Sequence, residues 1–352
     1  MINSYIRKDL QNLKPYHSPA VPYEIKLDAN ESPFSLPVKV KHQLIEWIEK
    51  EENLNRYPDT DSNDLRRAIG KLWNVEEDNV ICGVGSDQLI DCMMKVFLEP
   101  NDQILLPSPS FTMYSLSARM NHGIPIEVPL EENYHYSTSK ILEAYAKYKP
   151  KIIVLCTPNN PTGNQLSIGG IEEIVSKVTC PVLIDEAYGE FMDDSMIDFI
   201  HKYPHIFVIR TFSKAFGLAG LRVGYGIGSK EMIDAISITK PPYNLNTLSE
   251  KIVLMALEQI PLYEERIKAL QKEKDWLASQ LIDIGYKVYP SKANFLLIEI
   301  KNKSISKIFQ QKNILVRDFS NHPGLLSCFR VTIGTREENQ KIFQVLKENV
   351  LS

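Results

Sequence analysis

Cysteine and histidine are both scarce in this sequence, and neither forms the closely spaced groups that metal sites use. The chain has 352 residues with five cysteines and seven histidines. No two cysteines have CxxC spacing, and the histidines show neither HxH nor HExxH spacing, so we expect no zinc site. Cys82, Cys156 and Cys180 lie in or beside apolar runs, which predicts reduced thiols in the core of a cytoplasmic protein.

The sequence also lacks a charge excess of either sign and any long apolar run. It has 40 basic and 44 acidic residues and a net charge of -4. Nucleic-acid binding is therefore not expected, and an anionic ligand would have to be held by a few well-placed cations. No run approaches the roughly 18 apolar residues of a membrane helix, and MINSYIRKDLQNLKPY has no apolar segment of signal-peptide length.

From about residue 63, helix-like and strand-like segments alternate along the chain. DLRRAIGKLW and DQLIDCMMKVFL have the amphipathic spacing of helices. Short runs rich in isoleucine and valine predict buried strands, namely NVIC (79–82), QILLP (103–107), IPIEV (124–128), KIIVLC (151–156), PVLID (181–185) and IFVIR (206–210). This alternation predicts the α/β class, with a large, mostly parallel sheet covered by helices on both faces.

The second half of the chain has a different pattern. LNTLSEKIVLMALEQ and YEERIKALQKEKDWLASQL predict long helices, and YKVYP, ANFLLIEI and SCFRVTIG predict strands separated by charged helices. We therefore expect a large domain over residues 30–245. A smaller α+β domain is expected from residues 246–352, with residues 1–29 forming an N-terminal arm that packs on it.

Polar, glycine or aromatic residues follow five consecutive predicted strands. The segments are GVGSD, SPSF, TPNNPTG, DEAY and TFSK. In open α/β sheets, ligands bind beyond the carboxyl ends of the strands, so these segments are expected to converge on one ligand. An ordinary turn explains each of them singly but explains all five less well.

The segment GVGSD opens a predicted helix with Gly85, Ser86 and Asp87. Glycine lets backbone N–H groups approach an anion, and a helix N-terminus supplies positive potential, so a phosphate fits there. An ordinary helix cap made by Ser86 or Asp87 is the alternative.

Three polar side chains in the next segments suit an aromatic, nitrogen-containing ligand. Asp185 ends a mostly apolar run, where a carboxylate is costly unless it meets a cation such as a protonated ring nitrogen. Tyr188 could reach the same ligand through its hydroxyl, and Asn160 could donate from its amide. The ordinary alternatives are a capping aspartate, a core tyrosine and a turn asparagine.

Lys214 completes the set, in the stretch TFSKAFGLAGLRVG. An amine held near other cations and away from bulk water has a lowered pKa and becomes nucleophilic toward carbonyls. Ser213 and Arg222 could both bind a phosphate, and the surrounding glycines would let the chain turn tightly around it. Together these residues predict pyridoxal phosphate bound as a Schiff base, with Phe111 stacked on its ring.

The motifs PNNPTG (158–163), DEAY (185–188) and SKAFGLAGLRVG (213–224) resemble those of the fold-type I, class I/II pyridoxal-phosphate aminotransferases in order and spacing. The resemblance runs nearly end to end and is strongest to members that act on histidinol phosphate. It includes NLKPY, LDANESPF, RYPD, GVGSDQLI, KPPYN, LVRDFS and FRVTIGTREEN. It implies transamination between L-glutamate and L-histidinol phosphate in histidine biosynthesis.

The resemblance also implies roles for individual residues. Lys214 matches the Schiff-base lysine, Asp185 the partner of the ring nitrogen, and Tyr188 and Asn160 the residues that bind the ring's phenolic oxygen. The phosphate site is matched by Gly85, Ser86, Asp87, Ser213 and Arg222. The substrate site is matched by Tyr16, Asn30, Arg317 and Arg330. Tyr57 resembles the tyrosine that reaches the cofactor phosphate of a second subunit, which implies a homodimer with shared sites.

The sequence departs from the family pattern at three of the motif positions. Val84 and Gln88 stand where the family often has asparagine and glutamate, and Phe111 stands where it often has tyrosine. Phe111 can stack on a ring but cannot donate a hydrogen bond.

Other functions remain open at this point. An aromatic aminotransferase or a decarboxylase of a phosphorylated amino acid would use the same scaffold. A non-catalytic protein that binds the cofactor is a third reading, although every catalytic position is filled.

Overall fold

The computed structural model describes residues 2–11, 22–50, 54–300, 305–325 and 327–350. The strands are β1 (Ile25–Lys26), β2 (Val80–Val84), β3 (Gln103–Ser108), β4 (Ile124–Pro129), β5 (Ile152–Cys156), β6 (Val182–Asp185), β7 (Ile206–Thr211), β8 (Val223–Gly228), β9 (Lys287–Val288), β10 (Phe295–Glu299), β11 (Ile314–Leu315), β12 (Arg317–Asp318) and β13 (Cys328–Thr332).

The α-helices alternate with the first strands and dominate the second half of the chain. They are α1 (Val38–Lys50), α2 (Asn63–Trp73), α3 (Gly85–Phe97), α4 (Met113–Met120), α5 (Thr138–Tyr148), α6 (Ile168–Val175), α7 (Lys230–Ser237), α8 (Thr247–Leu257), α9 (Ile260–Asp283), α10 (Ile305–Gln311) and α11 (Arg336–Val350). Among the described helices, none combines the length and apolar character that crossing a membrane requires.

A seven-stranded sheet forms the centre of the fold, in the order β2-β8-β7-β6-β5-β3-β4. Strands β3 to β7 pair in parallel, whereas β8 is antiparallel to both of its neighbours. The six strands predicted in this region are all present, and the prediction of a mostly parallel α/β sheet is confirmed. The sequence interpretation missed β8, because its glycines were assigned to a turn around an anion.

Helices cover both faces of this sheet, and the side chains of its central strands alternate between two cores. In β5, Ile153 and Leu155 join one core, while Ile152 and Val154 join the other. Every residue of β5, β6 and β7 is buried. Burial on both faces explains why these strands read as continuous apolar runs rather than as alternating patterns.

The C-terminal third forms a second, antiparallel sheet of order β12-β13-β10-β9, and α11 packs against α9 beside it. A parallel pairing of β1 with β11 connects the N-terminal segment to this part of the chain. The domain boundaries expected from the sequence, 30–245 for the large domain and 1–29 with 246–352 for the small one, stay a prediction.

Candidate active site

Two adjoining cavities lie where the carboxyl ends of the central strands face the small sheet. The inner cavity has a volume of about 360 Å³ and the outer one about 680 Å³. Both are lined by Ala29, Asp87, Phe111, Asn160, Tyr188 and Lys214. Asp185, Ser86, Ser213 and Arg222 line only the inner cavity, whereas Asn30, Arg317 and Arg330 line only the outer one. The predicted strand-end residues are thus brought together.

Asp185, the last residue of β6, is buried at the floor of the inner cavity. Its Oδ2 accepts a hydrogen bond of 2.6 Å from the hydroxyl of Tyr114, and its Oδ1 accepts one of 2.9 Å from the Ala187 N–H. Burial raises the pKa of the Asp185 carboxyl to about 6, and these two hydrogen bonds oppose that rise. A cationic partner in the cavity would offset the cost of burying this carboxylate.

Tyr114 was not among the residues singled out from the sequence. It lies in the first turn of α4, three residues after Phe111, and its side chain is fully buried. A buried tyrosine hydroxyl normally finds a partner, and this is the signal that could have drawn attention to it. The ring of Phe111 meets the ring of Tyr114 edge to face, with centroids 5.6 Å apart.

Lys214 lies three residues beyond the end of β7, and its Nζ donates a hydrogen bond of 3.0 Å to the backbone oxygen of Ala29. Burial, followed by the positive charge of Arg330, lowers the pKa of the Lys214 amine to about 8. An appreciable fraction of this amine is therefore neutral near physiological pH, which makes it nucleophilic.

The N-terminus of α3 and Arg222 form an anion-binding corner of the inner cavity. Arg222 Nη2 lies 3.2 Å from Asp87 Oδ2, and its Nη1 donates to Ser213 Oγ at 3.4 Å. Gly85 begins α3 with a φ of +69°, and a Cβ there would lie 2.6 Å from Arg222 Nη2. No side chain caps this helix, so the alternative of a Ser86 or Asp87 cap is not observed.

Gln88, one of the departures from the family pattern, has a structural role. Its Oε1 accepts hydrogen bonds from the Val84 N–H at 2.9 Å and from Asn244 Nδ2 at 2.7 Å. Asn244 Nδ2 also donates to the backbone oxygen of Cys82, at 3.1 Å. Gln88 therefore ties the start of α3 to the segment that precedes α8.

Tyr188 and Asn30 form a buried hydrogen-bonded pair between the two cavities. Asn30 Nδ2 donates to the Tyr188 hydroxyl at 2.8 Å, and the Asn30 N–H donates to Thr332 Oγ1 at 2.9 Å. Burial raises the pKa of Tyr188 to about 12, so its hydroxyl stays protonated and can still donate one hydrogen bond.

Arg330 lies in β13 and joins the outer cavity to Asn160. Its Nη1 donates to Asn160 Oδ1, and its Nη2 donates to the backbone oxygen of Asp28 at 2.7 Å. The guanidinium carbon lies 5.3 Å from the ring centroid of Phe295. These contacts hold a cationic group at the boundary between the two cavities.

Asn159, which precedes Asn160, was not predicted from the sequence to belong to the site. Asn159 is buried, and its Nδ2 donates to the backbone oxygen of Pro109 at 2.9 Å while its Oδ1 accepts from Ser110 Oγ at 2.7 Å. It thereby connects the loop that carries Asn160 to the loop that carries Phe111.

The remaining predicted residues lie at the edge of the site or outside it. Arg317, in β12, lines the outer cavity together with His322, which the sequence interpretation missed. Tyr57 lines neither cavity: it is 80% exposed and stacks on Tyr243 with ring centroids 4.4 Å apart. Tyr16 lies outside the described residues.

The inner cavity fits a flat, phosphorylated, cationic ring. A buried carboxylate with a raised pKa lies on its floor, an uncapped helix N-terminus with Arg222 forms one corner, and a nucleophilic amine lines its wall. Gly85 has a φ of +69°, a conformation that residues with a side chain rarely adopt, so the backbone at this corner favours glycine. These are the donors and acceptors that pyridoxal phosphate requires.

Comparison with known proteins gives a consistent result over almost the whole chain. Residues 23–346 match the family model described as aminotransferase class I and II. A protein of Ruminiclostridium cellulolyticum named histidinol-phosphate aminotransferase is 44% identical over 351 residues, which cover 98% of both chains.

Two solved structures are similar to this fold. The histidinol-phosphate aminotransferase of Clostridium acetobutylicum has a TM-score of 0.85 at 25% identity and covers 93% of this chain and 99% of its own. The enzyme of that name from Sinorhizobium meliloti, in complex with pyridoxal-5'-phosphate, has a TM-score of 0.91 at 20% identity. That match covers 99% of this chain and 98% of the other, and it supports the fold alone.

Proposed function

Because this chain belongs to the class I and II aminotransferase family, we propose that it is a cytoplasmic, pyridoxal-phosphate-dependent transaminase of histidine biosynthesis. It exchanges an amino group between L-glutamate and L-histidinol phosphate. The observation that carries the proposal is the convergence of Lys214 and Asp185 on one cavity, next to a second cavity lined by Arg317 and Arg330. The name and 44% identity of the R. cellulolyticum relative support the choice of substrate.

Different residues of the inner cavity would hold different parts of the cofactor. The N-terminus of α3, Ser213 and Arg222 hold its phosphate, because the exposed N–H groups and the guanidinium complement an anion. Asp185 would pair with the ring nitrogen and Phe111 would cover the ring. Asn160 and Tyr188 would donate to the ring oxygen.

Lys214 has two tasks in this scheme. When bound, pyridoxal phosphate supplies an aldehyde that bonds to an amine and a protonated ring that accepts electrons. The Lys214 amine would hold the cofactor through that aldehyde, and an incoming substrate amine would replace it there. Its Nζ, which burial favours in the neutral form, would then take the proton from the substrate α-carbon and deliver it to the carbon that carried the cofactor's aldehyde. The same transfer in reverse would complete the second half of the exchange.

Asp185 keeps the ring nitrogen protonated throughout. Ionised Asp185 and a protonated ring nitrogen in this buried site would each stabilise the charged form of the other. The Tyr114 hydroxyl donates to the same carboxylate and fixes its orientation.

The outer cavity must accept two different anions in turn. One substrate is a dicarboxylate and the other is a phosphate monoester that also carries an imidazole. An arginine guanidinium can form two-point hydrogen bonds to carboxylates and to phosphates, and Arg317 and Arg330 are neighbours on paired strands. Asn30 and Tyr16 complete the proposed substrate site.

An absorbance titration of the purified protein tests the proposal. We expect the cofactor band to shift on addition of L-glutamate or L-histidinol phosphate, with the corresponding keto products released. A shift with O-phosphothreonine accompanied by carbon dioxide, or with phenylalanine alone, would assign a different activity to the same scaffold. Lys214→Ala should abolish the release of keto product from every substrate.

We further propose that two chains form a homodimer in which Tyr57 of one subunit reaches the cofactor phosphate of the other. Helix α1 packs against α8, and several apolar side chains in this region are exposed, namely Val38, Ile45, Ile48, Leu54, Tyr57, Tyr243 and Leu248. Exposed apolar side chains in such number favour burial against a second protein surface.

A further inference from the structure

A third cavity, which we call the acidic cavity, lies beneath the first two turns of α9 and apart from the candidate active site. Its volume is about 580 Å³. It is lined by Leu72, Trp73, Ile168, Gly189, Glu190, Met192, Asp193, Asp194, Ser195, Asp198, Phe199, Arg210, Phe216, Ile260, Tyr263, Glu264 and Ile267. The cavity combines an apolar and aromatic interior with carboxylates at its edge.

The carboxylates outnumber the cations around this cavity. Asp193, Asp194, Asp198 and Glu264 are all exposed, and none of them forms an ion pair within the described part of the chain. The cation of the lining, Arg210, forms ion pairs with Glu186 and Glu190, which neutralise its charge. The edge of the acidic cavity therefore carries a negative potential that its own lining does not cancel.

Arg210 lies at the base of the acidic cavity, where its guanidinium group already has carboxylate and aromatic partners. Its guanidinium donates to Glu186 Oε2 at 2.7 Å and to Glu190 Oε1 at 3.3 Å, and it stacks over the ring of Trp73 at 4.3 Å. An anionic ligand would have to displace these carboxylates, which is unfavourable in a buried position.

Two buried oxygens of the lining have no hydrogen-bond partner among the described residues. One is the hydroxyl of Tyr263, a residue only 1% exposed, and the other is Oε2 of Glu190. The guanidinium of Arg266 lies over the ring of Tyr263, 5.6 Å from its centroid, but donates to the backbone oxygen of Ser35. Buried polar atoms are nearly always satisfied, so this pair indicates a ligand that supplies hydrogen-bond donors.

From this arrangement we infer that the acidic cavity binds a small organic cation with an apolar body, of the guanidinium or ammonium class. The apolar part packs against Trp73, Phe199 and Phe216. The charged end donates to the unpartnered Tyr263 and Glu190 oxygens and is attracted by the carboxylates at the edge.

Calorimetric titration of the holoenzyme with benzylguanidinium tests this inference. A guanidinium condenses poorly with an aldehyde, and benzylurea is a neutral ligand of nearly the same shape. We expect one benzylguanidinium per chain, bound at least ~10-fold more tightly than benzylurea because only the cation complements the carboxylates. Raising the salt concentration should weaken the binding of the cation and leave that of the urea unchanged.

Matched variants locate the bound cation. Glu264→Gln with Asp194→Asn should weaken benzylguanidinium binding by ~3- to 10-fold, and Tyr263→Phe by a similar factor through the lost hydroxyl. Glu265→Gln is the control, because Glu265 is an exposed neighbour of Glu264 that does not line the cavity. All these changes keep the shape of the side chain, and the cofactor absorbance reports whether the variant is folded.

Three results would overturn the inference. One is equal affinity for benzylguanidinium and benzylurea, or no binding of either at millimolar concentration. Another is a loss of affinity in Glu265→Gln as large as in Glu264→Gln with Asp194→Asn. The third is displacement of benzylguanidinium by saturating L-glutamate, which would place it in the active site.

Discussion

At the scale of single residues, the hydroxyl of Tyr114 is the contact that most directly conditions the proposed chemistry. It donates to Asp185 at 2.6 Å and opposes the rise that burial causes in the pKa of that carboxyl. Asp185 must be ionised to hold a ring cation. Tyr114 therefore acts as a positioning residue for Asp185.

Tyr114→Phe should leave the protein folded and lower kcat by ~10- to 100-fold, the value of a hydrogen bond to a charged group. KM should change less, because Arg317 and Arg330, the residues proposed to bind the substrate, are untouched. Steady-state kinetics of the variant and the wild type check the prediction by measuring kcat and KM separately. A change confined to KM would contradict it.

The same hydrogen bond should affect how the free energy of unfolding of the cofactor-free protein depends on pH. The pKa of Asp185 is about 6 in the folded chain, against an ordinary value of 3.8. Between these values the folded state binds more protons than the unfolded state, so the free energy of unfolding falls as the pH rises, by up to about 1.4 kcal/mol per unit. In Tyr114→Phe the pKa of Asp185 rises further, and this fall should extend to higher pH.

The sequence predicted Asp185 and Lys214 as site residues because each stands at or just beyond the end of an apolar strand. A charged side chain is costly there unless it has a partner. The sequence did not predict Tyr114, because a tyrosine early in an amphipathic helix looks like a core residue. Its partner is 71 positions away in the chain, and only the packing of α4 on the sheet brings the two together.

At the scale of elements, β8 decides whether the anion-binding corner of the inner cavity can form. This strand lies between β2 and β7, and Gly224 pairs with Gly83 on one side and with Thr211 on the other. A Cβ on Gly224 would collide with the backbone N of Ser86, at the start of α3. The glycine therefore lets the strand approach the helix N-terminus closely.

Gly224→Ala should lower the free energy of unfolding by ~1–3 kcal/mol, the usual cost of overpacking, and weaken cofactor binding as α3 is displaced. Gly169→Ala, in α6, is the matched control, because a Cβ there meets no atom within 4 Å and the helix should gain ~0.5–1 kcal/mol. Denaturant titrations of both variants give the comparison. Equal stability of the two variants would show that the approach of β8 to α3 is not tight.

Strand β8 could not be predicted from the pattern of apolar residues in the sequence. The six other strands of the sheet were predicted from short apolar runs, whereas β8 has the sequence VGYGIG. Its glycines are explained by close contacts to neighbours, such as Gly226 against the ring of Phe207. Such contacts depend on the tertiary fold and leave no periodic signal in the sequence.

At the scale of the whole molecule, the proposed site draws on both ends of the chain. Arg330 donates to Asp28, a residue 302 positions away, and Asn30 reaches Thr332 over the same separation. The family resemblance could assign these residues to one site, but their contacts with Asn160 and Tyr188 follow only from the folded chain.

Sharing of sites between subunits can be tested by mixing two inactive chains. Tyr57→Ala and Lys214→Ala should each be nearly inactive alone. Co-expressed, they should recover about a quarter of wild-type activity, since half of the randomly paired dimers are mixed and each mixed dimer has one intact site. Activity no greater than that of the separate variants would argue that Tyr57 serves no neighbouring site.

The proposed transamination depends on a covalent bond between Lys214 and the cofactor. Borohydride reduction of the holoenzyme, followed by proteolysis and mass spectrometry, measures this bond directly. We predict a phosphopyridoxyl group on Lys214 and on no other lysine. The group on a different lysine, or its absence from every peptide of a protein that contains the cofactor, would contradict the account.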